Sequence, residues 1–117
     1  MLLAFFAIWN LFHLGAEIEF MLKRPALASM LYPYDYRYSF QVGAAYLLLG
    51  NYKEAERFYR RTVETFPTFV EAKNNLAVTW AMMGRKAEAE RLLREILAVD
   101  PSYESARENL RRVISGR

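Results

Sequence analysis

Apolar residues return every three or four positions over residues 36–49 and again over 70–83, the spacing of helices with one buried face. Each stretch stops at a glycine, Gly50 or Gly84, the residue that most readily takes the left-handed backbone of a helix end. A second helix follows each glycine and stops at Pro67 or Pro101. Residues 102–115 predict one more helix. Tyr103, Ala106, Leu110, Val113 and Ile114 face inward on it, and Arg107, Glu108, Arg111 and Arg112 face out. Asp35 and Ser102 stand where N-caps belong, and Thr68 with Glu71 has the spacing of a capping box. The chain is expected to be all-α.

The helices repeat. Gly50 and Gly84 are 34 residues apart, as are Pro67 and Pro101. Between the two blocks Glu54, Ala55, Glu56, Arg57 and Arg60 recur as Glu88, Ala89, Glu90, Arg91 and Arg94. A fixed period of this size marks stacked helical hairpins. Ala55 and Ala89 fall where the two helices of a hairpin cross closely.

On these residues the sequence resembles the tetratricopeptide repeat family. The first copy carries Gly43, Tyr46, Gly50, Tyr52, Ala55, Tyr59 and Pro67, and the second Leu76, Ala77, Gly84, Ala89 and Pro101. The family's early tryptophan is replaced by Ser39 and Lys73. The resemblance implies a solenoid of two repeats, residues 36–67 and 68–101, closed by a cap helix over 102–117. Ahead of it lie an apolar helix over 1–24 and a short connecting helix or linker over 25–35, which holds Pro25 and Pro33.

Residues 1–16 hold nine large apolar side chains: Leu2, Leu3, Phe5, Phe6, Ile8, Trp9, Leu11, Phe12 and Leu14. Their burial represents on the order of 15–25 kcal/mol as an upper bound, so the helix needs a partner. A secretory signal would begin with a basic region, which is missing here. As a membrane span the clean apolar run reaches about 24 Å, short of the ~30 Å hydrocarbon core. Extension to Leu22 draws in Glu17 and Glu19, and Lys23 and Arg24 follow. Asn10, His13 and Glu17 share one helical face, either a contact with another protein or a stripe turned to water. Phe5, Phe6, Trp9 and Phe12 complete this candidate contact helix.

Charge and chemistry narrow the function by exclusion. Net charge is +3, with −1 in residues 1–35 and +4 in the remainder, and the basic residues alternate with acids. Nothing here reads as a nucleic-acid tract. There is no cysteine, hence no disulfide framework and no thiolate metal site. His13 is the only histidine, and with Glu17 it supplies two metal ligands where a site needs three or four. No phosphate loop or dinucleotide fingerprint is present. Glu54, Glu56, Glu88 and Glu90 sit beside Arg57, Arg60, Arg91 and Arg94, the pattern of a solvated face. No catalytic residue, cofactor or metal is expected.

In the family, the first helices of successive repeats line a concave groove that binds peptides, and some members grip a carboxyl-terminal carboxylate with Lys, Asn and Arg. Here the corresponding places hold Phe40 and Ala44, then Asn75, then Ser105 and Asn109, so only Asn75 matches. The lining predicted instead is Phe40, Ala44, Leu47, Asn74, Asn75, Val78 and Ala81, which suits an amphipathic or apolar helix. That helix belongs to a protein partner or is the chain's own amino-terminal helix. The expected function is a non-catalytic interaction or assembly module, tethered through residues 1–22 to a membrane or membrane complex and placed at a membrane or cell surface. The alternative is a homo-oligomeric structural subunit, in a filament, a pilus-like fibre or a ring, whose amino-terminal helix packs into its neighbours.

Overall fold

The computed structural model describes residue 4 and residues 35–116. The chain divides into two compact units, Met1–Pro33 and Tyr34–Arg117, and the fold below is that of the second. The expected apolar helix and most of the connecting segment, including Phe5, Phe6, Trp9, Asn10, Phe12, His13 and Glu17, lie outside the described residues.

Five α-helices and no strand occur among the described residues: α1 Tyr36–Leu48, α2 Tyr52–Thr65, α3 Val70–Met82, α4 Lys86–Val99 and α5 Glu104–Ser115. α1 begins where Asp35 caps it, its carboxylate accepting from the Arg37 backbone N–H at 3.0 Å. The Arg37 guanidinium also pairs with Asp35 and holds that carboxyl below its ordinary range. α1 ends with Gly50 at φ 74°. The Asn51 N–H reaches back to the Tyr46 carbonyl at 2.9 Å, and the Gly50 N–H to that of Leu47 at 3.1 Å. α3 ends the same way: Gly84 has φ 82°, Arg85 N–H donates to Trp80 at 2.8 Å and Gly84 N–H to Ala81 at 3.0 Å. This double bond pattern satisfies the last carbonyls of each helix and needs a left-handed residue between them.

Two expected caps are corrected. α3 starts after Phe69, with no side-chain cap bond, so Thr68 and Glu71 form no capping box. Phe69 instead packs against Tyr36 and Phe40, at centroid distances of 5.4 and 4.8 Å, and this packing sets where the helix begins. α5 starts after Tyr103 rather than at Ser102. Ser102 donates through its N–H and hydroxyl to the Asp100 carboxylate, at 3.1 and 2.6 Å, which serves the turn and not the helix.

Consecutive helices pack as antiparallel hairpins, and α1, α3 and α5 also touch side by side. Ala55 and Ala89 are fully buried at the hairpin crossings. Around them run two apolar clusters. One joins Ala55, Tyr59 and Leu76, and the other joins Ala77, Ala89, Leu93, Ile96, Ala106 and Val113. The repeats solve the same contact with different sizes. A Cβ on Gly43 would come within 3.0 Å of the Tyr59 ring. The equivalent pair in the second repeat is Ala77 and Leu93, in which a smaller partner leaves room for the methyl group. On α5, Ala106 and Val113 are buried as expected, but Ile114 is exposed. One residue beyond Val113 is a rotation of about 100° on the helix, which carries Ile114 off the core face.

Candidate functional site

The helices α1, α3 and α5 bring the expected groove residues onto neighbouring elements. On α1, Phe40, Ala44 and Leu47 are half-buried and packed on the Ala55–Tyr59–Leu76 cluster. Phe40 lies 5.9 Å from the Tyr59 ring and 4.8 Å from Phe69, so its side chain is braced from two sides. On α3, Val78 and Ala81 are half-buried, Ala81 resting on the second cluster.

The asparagines divide their bonding. Asn74 is buried, and its carbonyl oxygen accepts from Asn109 Nδ2 at 3.1 Å. It therefore serves the seam between α3 and α5 before it serves any ligand. Asn75 is half-buried and donates through Nδ2 to the Tyr59 hydroxyl at 3.3 Å. Burial pushes the Tyr59 phenol up to about 12, with the Asn75 bond opposing it. Ser105 is exposed and Asn109 half-buried.

Glu56 is not the solvated surface carboxylate that the sequence suggests. Its Oε1 accepts from Trp80 Nε1 at 2.9 Å, Arg85 Nη1 at 2.8 Å and Arg60 Nε at 2.9 Å. The guanidiniums of Arg60 and Arg85 each lie over the Trp80 ring, at 5.3 and 5.2 Å from its centroid. Glu88 holds the remaining edge of Arg85. Burial pushes the Glu56 carboxyl upward, but the three donors outweigh it and leave the group below its ordinary range. This cluster ties α2 to the end of α3 and the start of α4. Its sequence signal lies outside the Glu/Arg pattern: Trp80 and Arg85 replace Tyr46 and Asn51 of the first repeat.

A second arrangement is a row of rings at the other end of the helices. Tyr36 stacks on Phe66 at 4.6 Å, and Phe66, Phe69 and Phe40 continue toward the groove. Among the described residues no group of three His, Asp or Glu side chains converges as a metal site would require. Among those residues no helix is long and apolar enough to cross a membrane.

The sequence model of the tetratricopeptide repeat family matches residues 46–114. Among solved structures, the chain is similar to the first tetratricopeptide domain of Spaghetti (RPAP3), solved bound to the HSP90 peptide SRMEEVD. The TM-score is 0.77 at 16% identity, over 92% of this chain and 85% of that one. At that identity the likeness shows the fold alone. A search of the curated proteins found no match.

Proposed function

This chain belongs to the tetratricopeptide repeat family, and from that premise we propose that it is a non-catalytic protein-interaction module whose groove takes an apolar or amphipathic helix. The neutral lining of the groove carries this reading. Phe40, Ala44, Leu47, Val78 and Ala81 offer apolar surface, and Asn75 and Asn109 offer amides. Of the cations on the same three helices, the four arginines are ion-paired, Arg37 with Asp35, Arg107 with Glu104, and Arg111 and Arg112 with Glu108, and Lys73 on α3 makes no ion pair among the described residues. The Spaghetti domain, whose peptide is acidic, supports a peptide in the groove but not an acidic one. Family members that grip a carboxyl terminus have cations where this chain has Phe40, Ser105 and Asn109. The finer part of the proposal rests on sequence: the apolar residues 1–22 tether the module to a membrane or membrane complex.

The test uses the full chain in mild detergent. Two labelled peptides are titrated, one a designed Leu/Lys amphipathic helix and the other an acidic segment with a free carboxyl terminus. The proposal expects the amphipathic peptide to bind more tightly and Val78→Glu to abolish that binding without changing helicity. Equal or stronger binding of the acidic peptide would reject it. Light scattering of the same samples tests the tether. Large regular particles that survive detergent would turn the reading to a self-assembling subunit.

A further inference from the structure

The two turns that join α1 to α2 and α3 to α4 expose apolar residues that neither the core nor the groove uses. Leu48 is 89% exposed and Leu49 69%, and their repeat equivalents Met82 and Met83 are 56% and 36% exposed. The two turns lie at the same end of the helix array. Arg85, beside the second turn, bonds Glu56, which is only one helical turn into α2. Isolated exposed apolar residues need no explanation, but a repeat-related set at turn tips does.

The charges around this edge select its partner. Glu54 is paired with Arg57 at 2.9 Å, and Glu88 with Arg85 at 2.6 Å. Glu56 is held by Arg60 and Arg85. Two lysines remain in the first turns of α2 and α4, Lys53 and Lys86, one position apart in the repeat. Lys53 is exposed and makes no ion pair among the described residues. Lys86 Nζ donates to the Gly116 carbonyl, a neutral partner, and makes no ion pair among the described residues. A cation in the first turn of a helix opposes the macrodipole, so helix stability does not account for either lysine. Once the internal pairs are made, the edge is apolar at its tips and positive at its flanks. We infer that this edge docks on an anionic lipid surface, with Leu48, Leu49 and Met82 entering the headgroup boundary and Lys53 and Lys86 meeting the headgroup charge. The contact is separate from the groove.

The test is local, because the apolar residues 1–22 can carry the whole chain onto vesicles. The chain has no cysteine, so a polarity-sensitive dye is attached at Ala87→Cys beside the edge. A control dye goes at Val99→Cys, about 18 Å away at the other end of α4. The full chain is mixed with vesicles of phosphatidylcholine alone or with added phosphatidylserine. The edge dye is expected to shift to the blue on the mixed vesicles only, and the Val99 dye to stay unchanged. Leu48→Ser with Leu49→Ser lowers the lipid dependence of the shift roughly tenfold or more. Lys53→Gln with Lys86→Gln lowers it about tenfold on the mixed vesicles. An edge dye that stays unshifted while the chain floats with the vesicles overturns the inference. An equal shift on neutral vesicles overturns the anionic assignment. A shift that grows with protein concentration and without lipid assigns the edge to protein contacts instead. Val78→Glu should leave the lipid shift intact, so failure of the groove reading and failure of this one are told apart.

Discussion

Replacing Glu56 tests whether a single carboxylate joins the repeats. Its side chain is only 15% exposed, while its partners Arg85 and Arg60 are 31% and 49% exposed. Hydrogen bonds to a charged group are worth ~1.5–3 kcal/mol each when buried. Half-exposed arginines are screened by water, and each pair is discounted to about 0.5–1 kcal/mol. Glu56→Ala also leaves the Trp80 N–H without its acceptor, for about 1 kcal/mol more. The sum is a destabilisation of about 2–3 kcal/mol. Glu56→Gln keeps an acceptor for Trp80 and loses only the charge, so about 1 kcal/mol is expected. Urea unfolding followed by circular dichroism reads these as midpoint shifts of roughly 1 M and 0.5 M. The two arginines should differ. In double-mutant cycles Glu56 couples more strongly to Arg85 than to the more exposed Arg60. The pH dependence has a definite sign. The folded carboxyl is held below its ordinary value, so its contribution is present above a pH of about 4.3 and fades as pH falls through the lower folded pKa. Glu56→Ala within the error of the wild type, or a wild-type advantage over Glu56→Gln that grows on acidification, would refute this reasoning.

Further expectations follow from the core. Gly43→Ala drives a methyl group into the Tyr59 ring at 3.0 Å, and the overpacking of ~1–3 kcal/mol exceeds the gain in helix propensity. Adding Tyr59→Leu, which reproduces the Ala77 and Leu93 pairing, should make the double variant less damaged than the sum of the singles when both are unfolded in urea. Gly84→Ala places a side chain at φ 82° with open space around it. Its cost is therefore backbone strain alone, about 1 kcal/mol, seen as a fall of several degrees in melting temperature. The Tyr59 phenol is held protonated up to about 12, so its contribution to stability is full below a pH of about 10 and is lost as pH rises from there toward 12. Tyr59→Phe should flatten that alkaline decline in stability measured by urea unfolding.

Several elements of this fold are written locally, within a few residues of where they act. A left-handed glycine, a helix-stopping proline and an alanine at a crossing each act through their own backbone or their own small size. Because they recur at a period of 34, the sequence by itself determines the hairpin solenoid, the positions of Gly50 and Gly84, and the apolar faces of α1 and α3. The Asp35 cap is legible for the same reason, since its acceptor lies two residues from its donor. The Thr68 and Ser102 caps mislead because tertiary and turn contacts, Phe69 on two rings and Asp100 on Ser102, move the helix starts. What only the tertiary structure decided lies between residues far apart in the chain. Glu56 and Glu54 look alike in sequence, but Glu56 meets Trp80, 24 residues on, and Glu54 meets only its own helix. Asn74 is drawn into the α3–α5 seam by Asn109, 35 residues on, while Asn75 beside it bonds Tyr59. Leu47 packs on the core while Leu48 stands in solvent, one helical step away. The period says which residues are equivalent, but the environment of each is set by what the neighbouring helix brings opposite it, and that contact energy is not encoded at any single position.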